Sequence, residues 1–280
     1  MAEKSLNSKL LTGRTLGLLG AGNMAEALAR GVIKSGAMSA MYMMASDVSE
    51  ERRTLFEGTL GIRTSVDNNA VVAASEILVL CVKPQMVASV VAGIAPVFDV
   101  KRHLLASICA GVSSAKIEAL LPSGARVVRV MPNTPMLVGC GASGVAGGKN
   151  ASDDDIATIE ALFATASMTV RVDEKMMDAV TGLSGSGPAY LFYLVEAMID
   201  AGVAEGFTLE QARALASRTV LGAAKMLEET QLPPEELRRR VTSPNGTTQA
   251  AIEMMEAGGV KAKIAAAVRR AAGRSRELGR

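Results

Sequence analysis

A short apolar run followed by closely spaced glycines, from Thr15 to Leu28, constrains this chain more than any other stretch. The apolar residues end at Gly20 and a helix-favouring run begins at Asn23, with the pattern G-x-G-x-x-A ending at Ala25. This pattern is typical of a strand, a tight turn and a helix whose N-terminal amides bind phosphates. Gly20 can make the turn, Gly22 lets the backbone approach a pyrophosphate, and Ala25 lets the helix pack closely on the strand. The stretch therefore predicts a dinucleotide-binding unit.

Composition excludes several other classes of protein. The 280 residues are 49% hydrophobic and 21% charged, which is enough apolar material for one large domain or two ordinary ones. A net charge of +2 and the absence of tryptophan argue against a nucleic-acid partner. The spacing of the three cysteines fits neither a metal site nor a disulfide framework. The N-terminus lacks the apolar core of a signal peptide. No uncharged run reaches the roughly 18 residues of a membrane span. We therefore expect a cytoplasmic protein with no metal and no nucleic-acid or membrane partner.

The pattern of predicted elements changes near Asp173. Before it, short apolar strands alternate with helices, which predicts an α/β fold with a Rossmann-type, doubly wound parallel sheet over residues 14–172, preceded by a leader at residues 1–13. After it come only long helices rich in alanine and methionine, which predicts an all-α domain over residues 173–280. Helices this apolar on several sides need more partners than a small domain supplies, so we expect a dimer through this half.

Four unusual loops follow predicted strands. They are Gly20–Met24, Lys83–Gln85, Ala110–Gly111 and Pro132–Pro135. Ligands of doubly wound sheets bind beyond the carboxyl ends of the strands, so these loops predict one shared cleft.

The residues at the end of the second predicted strand are compatible with a cofactor with or without a 2′-phosphate. Asp47 is placed to accept hydrogen bonds from ribose hydroxyls, which favours a cofactor without a 2′-phosphate. Ser46, with Arg52 and Arg53 one turn later, could instead hold a 2′-phosphate. The arginines are equally well explained as the solvated face of a capped helix. The residues alone do not decide between NADPH and NADH.

Two glycine-dense stretches interrupt the helical half, Gly182–Tyr190 and Val241–Ala250. The second predicts a turn that leads into a helix N-terminus, because Pro244 sets a bend and the following Asn-Gly pair tolerates positive φ. Thr247 and Thr248 would then offer hydroxyls and free amides, which suit a carboxylate and a ring nitrogen. An ordinary capped helix explains the same residues.

Taken in order, the motifs G-x-G-N-M, K-P-Q, A-G-V, M-P-N-T-P, G-S-G-P-A-Y and S-P-x-G-T-T closely resemble those of the pyrroline-5-carboxylate reductase family. The resemblance extends from about Thr15 to the C-terminal helix. It implies a Rossmann domain followed by a helical domain that interlocks two subunits. It also implies reduction of the cyclic imine 1-pyrroline-5-carboxylate to L-proline, the last step of proline biosynthesis, with NADPH or, as the alternative, NADH.

The resemblance also assigns roles to individual residues. It places Gly20, Gly22, Asn23 and Met24 on the cofactor phosphates, Ser46 at the adenosine ribose, and Lys83, Ala110, Gly111, Pro132 and Asn133 along the ribose and nicotinamide. It places Ser243, Gly246, Thr247 and Thr248 on the substrate carboxylate and ring nitrogen, with Thr248 as the catalytic residue that orients the imine. One departure is Asn245, where the family usually has glycine. Asparagine tolerates the left-handed backbone, so we expect the turn to survive.

The scarcity of proton donors favours an imine as the substrate. A carbonyl reductase needs an acid, usually histidine or lysine, whereas a protonated imine is already electrophilic and needs mainly orientation. The single histidine, His103, precedes the fifth strand on the wrong side of the sheet, and we expect it at the surface. A rival reductase of ketoacids or hydroxyacids would have to use Lys83, whose K-P-Q context suits cofactor binding better. A second rival, a cofactor sensor without catalysis, would not need the two glycine-dense motifs of the helical half.

Overall fold

The computed structural model describes residues 10–279. These residues form two compact units. The first unit contains the described residues up to Ser186 together with those from Arg270 onward. The second unit is Gly187–Arg269. Among the described residues, no helix is both long enough and apolar enough to cross a membrane.

The first unit is built on one eight-stranded sheet. Its strands are β1 (Leu16–Leu19), β2 (Met43–Ser46), β3 (Arg63–Ser65), β4 (Ile77–Leu80), β5 (Leu104–Ser107), β6 (Arg126–Met131), β7 (Gly141–Gly147) and β8 (Ser167–Arg171). They lie in the order β3-β2-β1-β4-β5-β6-β7-β8. Strands β1 to β6 are parallel, so their carboxyl ends share one edge of the sheet.

Both faces of this sheet are buried. The helices of the unit are α1 (Asn23–Ser35), α2 (Glu50–Leu60), α3 (Asn68–Ala74), α4 (Val87–Ile94), α5 (Ser114–Glu118), α6 (Asp153–Phe163) and α7 (Met177–Val180). In β4, Ile77 and Val79 pack in the cluster that contains side chains of α1, α2 and α6, whereas Leu78 and Leu80 pack in the cluster that contains side chains of α3, α4 and α5. Successive strand residues point to opposite faces, which explains why β4 is apolar throughout.

The second unit is entirely helical. It contains α8 (Gly187–Ala204), α9 (Leu209–Thr230), α10 (Pro234–Arg240), α11 (Thr247–Ala257) and the start of α12 (Val260–Leu278). Helices α8 and α9 approach closely at Gly202, where an added Cβ would lie 3.2 Å from the Cβ of Ala212. Many large apolar side chains of this unit are exposed, including Phe192 at 62% and Tyr193 at 75%.

The predicted fold class is confirmed, and the structure adds three features to it. Strand β7 runs antiparallel to β6, not parallel, because the short link after Met131 returns the chain at the same edge of the sheet. Residues 1–9 of the expected leader lie outside the described residues, and Leu11, which belongs to the same predicted leader, is buried in the core. The first unit also extends past residue 172 to Ser186 and includes the end of α12, where the hydroxyl of Ser275 donates to the Asp178 carboxylate.

Candidate active site

The turn after β1 has one glycine that the fold requires and one that leaves space. Gly20 has φ +102°, and an added Cβ would lie 3.0 Å from the backbone of Cys81. Gly22 is the N-cap of α1 with φ −71°, and an added Cβ would meet nothing within 4 Å. The space at Gly22 therefore lies directly at a helix N-terminus, where amides and the helix dipole favour a phosphate.

Asn23 and Met24 form the start of α1 beside this space, as predicted. Asn23 is exposed and Met24 is half-buried, whereas Ala25 is fully buried against the core. The small side chain of Ala25 lets the helix pack closely on the sheet. The turn thus has the shape that its sequence predicts.

Ser46, at the end of β2, is only 1% exposed. Its hydroxyl donates to Oδ1 of Asn68 at 2.6 Å, so the side chain is used inside the fold, and its predicted contact with the adenosine ribose stays a prediction. Asn68, at the start of α3, therefore lies beside the expected ribose position. In the sequence Asn68 is marked only by its place in a polar cluster after the short β3 strand, so it was not predicted.

Asp47 and the two arginines stabilise the turn after β1, Gly20–Met24, which is predicted to bind the cofactor phosphates and is named the phosphate turn for that reason. The Asp47 carboxylate accepts from the Ala21 amide at 2.8 Å and from the Ser49 amide at 2.9 Å. The Arg52 Nε donates to the Ala21 carbonyl at 2.6 Å, and Arg53 donates to the carbonyl of Asp47 at 2.8 Å. Neither arginine is simply a solvated helix face.

Arg52 also forms an ion pair with Glu26, which lies in the first turn of α1. Its Nη2 lies 2.8 Å from the Glu26 carboxylate. Burial raises the pKa of Glu26, but the hydrogen bonds from Arg52 and Arg30 outweigh it and leave the pKa below its usual value. Glu26 is therefore ionised and paired at neutral pH, so it leaves little uncompensated negative charge close to the phosphate turn.

Lys83, Ala110 and Gly111 follow the next two strands. Lys83 is exposed and precedes a short 3-10 turn, Pro84–Met86, after β4. Gly111 is buried with φ +75°, and it follows β5. Because β1, β4, β5 and β6 are adjacent and parallel, these loops lie along the same edge as Gly20.

Asn133, in the M-P-N-T-P motif, is hydrogen-bonded to the glycine-dense stretch Gly182–Tyr190. Its Oδ1 accepts from the Ala142 amide at 2.9 Å, and its Nδ2 donates to the Ser184 carbonyl at 3.1 Å. Ser184 lies in a π-helical turn, Thr181–Gly185, of a kind that is frequent at functional sites. Both Pro132 and Asn133 are buried, so their predicted contact with the nicotinamide stays a prediction, while Asn133 clearly fixes the G-S-G-P-A-Y segment.

The second unit forms the turn that its sequence predicts. Asn245 has φ +58°, so it adopts the left-handed conformation expected of it, and its amide donates to Oε1 of Gln249 at 2.8 Å. The Gly246 amide donates to the Ser243 carbonyl at 3.1 Å, and an added Cβ on Gly246 would collide with Ser243. The turn therefore depends on glycine at position 246.

Helix α11 begins at Thr247 without a side-chain cap, since its N-cap is Gly246. Thr247 is exposed and Thr248 is half-buried in the first turn. The ordinary capped helix considered above is therefore not what forms here. The first turn instead presents hydroxyls and uncapped amides, which suit a carboxylate.

The two cysteines near the strand ends are protonated thiols and poor acids at neutral pH. Burial raises the pKa of the Cys109 thiol to about 11 and raises the pKa of the Cys81 thiol well above its usual value. In residues 10–279 no group of His, Cys, Asp and Glu side chains could hold a metal.

The expectation for His103 was wrong in one respect. The residue precedes β5, far from the strand-end loops, but it is only 2% exposed. Its ring packs on Phe98 with 5.1 Å between centroids, and its Nδ1 accepts from the Asp99 amide at 2.9 Å. It is a core residue and not a surface one.

A mostly parallel sheet with this glycine turn at its strand ends, followed by a helical unit, is the arrangement of a dinucleotide-binding protein and is typical of dinucleotide-dependent oxidoreductases. Two family models match the chain: one described as NADP oxidoreductase coenzyme F420-dependent at residues 15–111, and one described as pyrroline-5-carboxylate reductase dimerisation at residues 174–278. The second match begins next to the predicted boundary at residue 172.

Full-length relatives define the family. The pyrroline-5-carboxylate reductase of Methanosarcina acetivorans is 46% identical over 95% of this chain and 98% of its own. The structure of a pyrroline-5-carboxylate reductase from Coxiella burnetii superposes with a TM-score of 0.90 at 32% identity, over 95% of this chain and 99% of that one. The structure of the Plasmodium falciparum pyrroline carboxylate reductase with NADP bound superposes with a TM-score of 0.86 at 30% identity, over 96% of this chain and 100% of that one.

The chain belongs to the pyrroline-5-carboxylate reductase family. It is an NAD(P)H-dependent enzyme that reduces 1-pyrroline-5-carboxylate to L-proline, and its helical half is the dimerisation domain of that family. The rival assignments to a ketoacid reductase and to a sensor without catalysis are thereby set aside.

Proposed function

We propose that the protein transfers hydride from NADPH to the imine carbon of 1-pyrroline-5-carboxylate without an acid residue of its own. The observation that carries this proposal is the open space at Gly22 on the N-terminus of α1, which suits the cofactor pyrophosphate. The nicotinamide then extends along the edge formed by the loops after β4, β5 and β6. The phosphates lie on the turn from Gly20 to Met24.

The substrate is held by the turn Ser243–Thr248. The substrate carboxylate accepts a hydrogen bond from the uncapped amide of Thr247, with the hydroxyl of Ser243 beside it, while Gly246 forms the turn that leads into the helix. The Thr248 hydroxyl accepts a hydrogen bond from the protonated ring nitrogen and fixes which face of the imine receives the hydride. Hydride addition neutralises the iminium charge, so orientation supplies most of what catalysis requires.

NADPH is the proposed cofactor. The relative from Plasmodium falciparum carries NADP, and the model that matches residues 15–111 is described as an NADP oxidoreductase. Asp47, the feature that argued for NADH, has both carboxylate oxygens engaged by backbone amides. This reduces its availability to ribose hydroxyls, which supports NADPH over NADH.

The functional form is a homo-oligomer assembled through the helical half, in the cytoplasm. Support for assembly comes from the exposed apolar side chains of α8 and α9, since exposed apolar patches of this extent mark interfaces. All three cysteines lie within the described residues and are unpaired, which agrees with a reducing compartment.

An assay of NADPH oxidation tests the reaction. The purified protein should oxidise NADPH with 1-pyrroline-5-carboxylate, form L-proline in equal amount, and ignore pyruvate and other simple ketoacids. NADH run in parallel gives the cofactor preference. Turnover of a ketoacid with comparable kcat/KM would overturn the proposal.

A further inference from the structure

The end of α12 packs on the turn that follows β5. Gly111 is buried with φ +75°, and an added Cβ would lie 3.2 Å from the Cβ of Leu278 and 3.3 Å from the Gly279 amide nitrogen. The backbone of the last turn of α12 therefore rests directly on Gly111. Only glycine fits there, because of both the left-handed conformation and the close approach.

Hydrogen bonds of Ser275 and Lys116 hold the end of α12 in this place. The Ser275 hydroxyl donates to Oδ1 of Asp178 at 2.5 Å, and Ser275 is only 3% exposed. The Lys116 ammonium, on α5, donates to the carbonyl of Gly279. Within the described residues this helix end also carries exposed ion pairs of Glu277 with Arg270 and Arg274, which contribute little to the position of a helix.

The other end of the same turn is also held. The Glu174 carboxylate accepts from the Ser114 amide at 3.2 Å and pairs with the buried Arg129 at 3.1 Å. The segment Ala110–Ser114 is thus fixed by Glu174 at one end and by α12 at the other. Between these supports lie Ala110 and Gly111.

We propose that Ser275 and Asp178 are positioning residues for the nicotinamide end of the cofactor, acting through the last turn of α12 on Gly111. This inference rests on the proposed function, which assigns Ala110 and Gly111 to that end. A glycine released from its support samples many backbone conformations, so the loss of either residue loosens this turn. The adenosine end, held by the loops after β1 and β2, is unaffected.

Binding experiments with the full chain separate the two ends of the cofactor. Ser275→Ala and Asp178→Ala, each of which removes one partner of the hydrogen bond, should each raise the Kd of NADPH about tenfold, equivalent to roughly 1.4 kcal/mol. The Kd of adenosine 2′,5′-bisphosphate, which lacks the nicotinamide, should stay at the wild-type value. The double variant should lose no more than either single one, because the two side chains form one contact.

Two further variants serve as controls. Glu277→Gln removes only the exposed ion pairs of the same helix end and should bind both ligands as wild type does. Lys116→Met, at an exposed position, should raise the Kd of NADPH without loss of folding, so it tests the inference if the buried variants unfold. Unchanged NADPH affinity in the folded variants, or an equal loss for both ligands, would overturn the inference. Absence of imine turnover in the wild type would instead contradict the proposed function.

Discussion

The Asp47 carboxylate accepts a hydrogen bond from the Ala21 amide at 2.8 Å, across the base of the phosphate turn. Arg52 binds the same turn, because it donates to the Ala21 carbonyl and forms an ion pair with Glu26. Ala21 is therefore held through both its amide and its carbonyl. Asp47 and Arg52, which left the cofactor preference open in the sequence, are thus both hydrogen-bonded to the phosphate turn.

Arg52→Ala should weaken NADPH and NADH equally. The variant removes the support of the turn, which both cofactors use, and the loss of hydrogen bonds from a charged group predicts a rise in both Kd values of about tenfold. Fluorescence titration with each cofactor measures the effect. Arg30→Ala is the control, because it removes only an exposed ion pair with Glu26. A selective loss of NADPH affinity would show that Arg52 binds the 2′-phosphate.

Alanine at Gly20 and at Gly22 should give opposite results. Gly20→Ala forces a side chain into a left-handed backbone next to Cys81, so the free energy of unfolding should fall by about 1–2 kcal/mol or more. Gly22→Ala meets no protein atom and should keep the wild-type Tm. Its methyl group instead occupies space needed by the pyrophosphate, which predicts a steric cost of about 1–3 kcal/mol and roughly tenfold or more in Kd.

Thermal melts without cofactor and NADPH titrations on both variants decide this comparison. A large drop in Tm for Gly22→Ala with normal NADPH affinity would mean that Gly22 serves the fold and not the ligand.

Phe192→Glu should disrupt the oligomer. Phe192 is 62% exposed on α8, and a carboxylate buried in an apolar interface without a partner is strongly disfavoured. Sedimentation velocity at micromolar concentration should show wild-type oligomers and a monomeric variant. Lys34→Gln, an exposed change of charge on α1, should leave the assembly intact. A monomeric wild type would contradict assembly through the helical half.

His103 should make stability depend on pH. Burial lowers the pKa of His103 below its usual value of about 6.5, so the unfolded chain binds a proton more readily than the folded one. The contribution of the neutral ring is present above about pH 6.5 and is lost as the pH falls further. Urea unfolding at pH values on either side of 6.5 measures it. The His103→Gln variant should lose less stability on acidification than the wild type, and an equal loss in both would refute the prediction.

Local sequence signals predicted the parts of the molecule that depend on neighbouring residues. The glycine turn, the apolar β4 strand and the left-handed Asn245 each follow from a few consecutive side chains. Contacts distant along the chain were not predictable in this way. Arg52 and Ala21 are 31 positions apart, and their contact depends on the direction of one side chain.

Two incorrect expectations have the same kind of cause. His103 follows two exposed charged residues, Lys101 and Arg102, yet packing on Phe98 buries it. The direction of β7 depends on where a short link returns the chain and not on the composition of the strand. In both cases tertiary packing overrode a local pattern.

The kinetics of Thr248 variants test the central claim most directly. If the hydroxyl contacts the ring nitrogen, Thr248→Ala loses one hydrogen bond to a charged group, about 1.5–3 kcal/mol. We predict a fall in kcat/KM for 1-pyrroline-5-carboxylate of roughly tenfold to a hundredfold or more, with NADPH affinity nearly unchanged and most activity retained in Thr248→Ser. Normal imine turnover in a Thr248→Ala protein whose Tm is lowered would contradict the account and leave Thr248 with a structural role only.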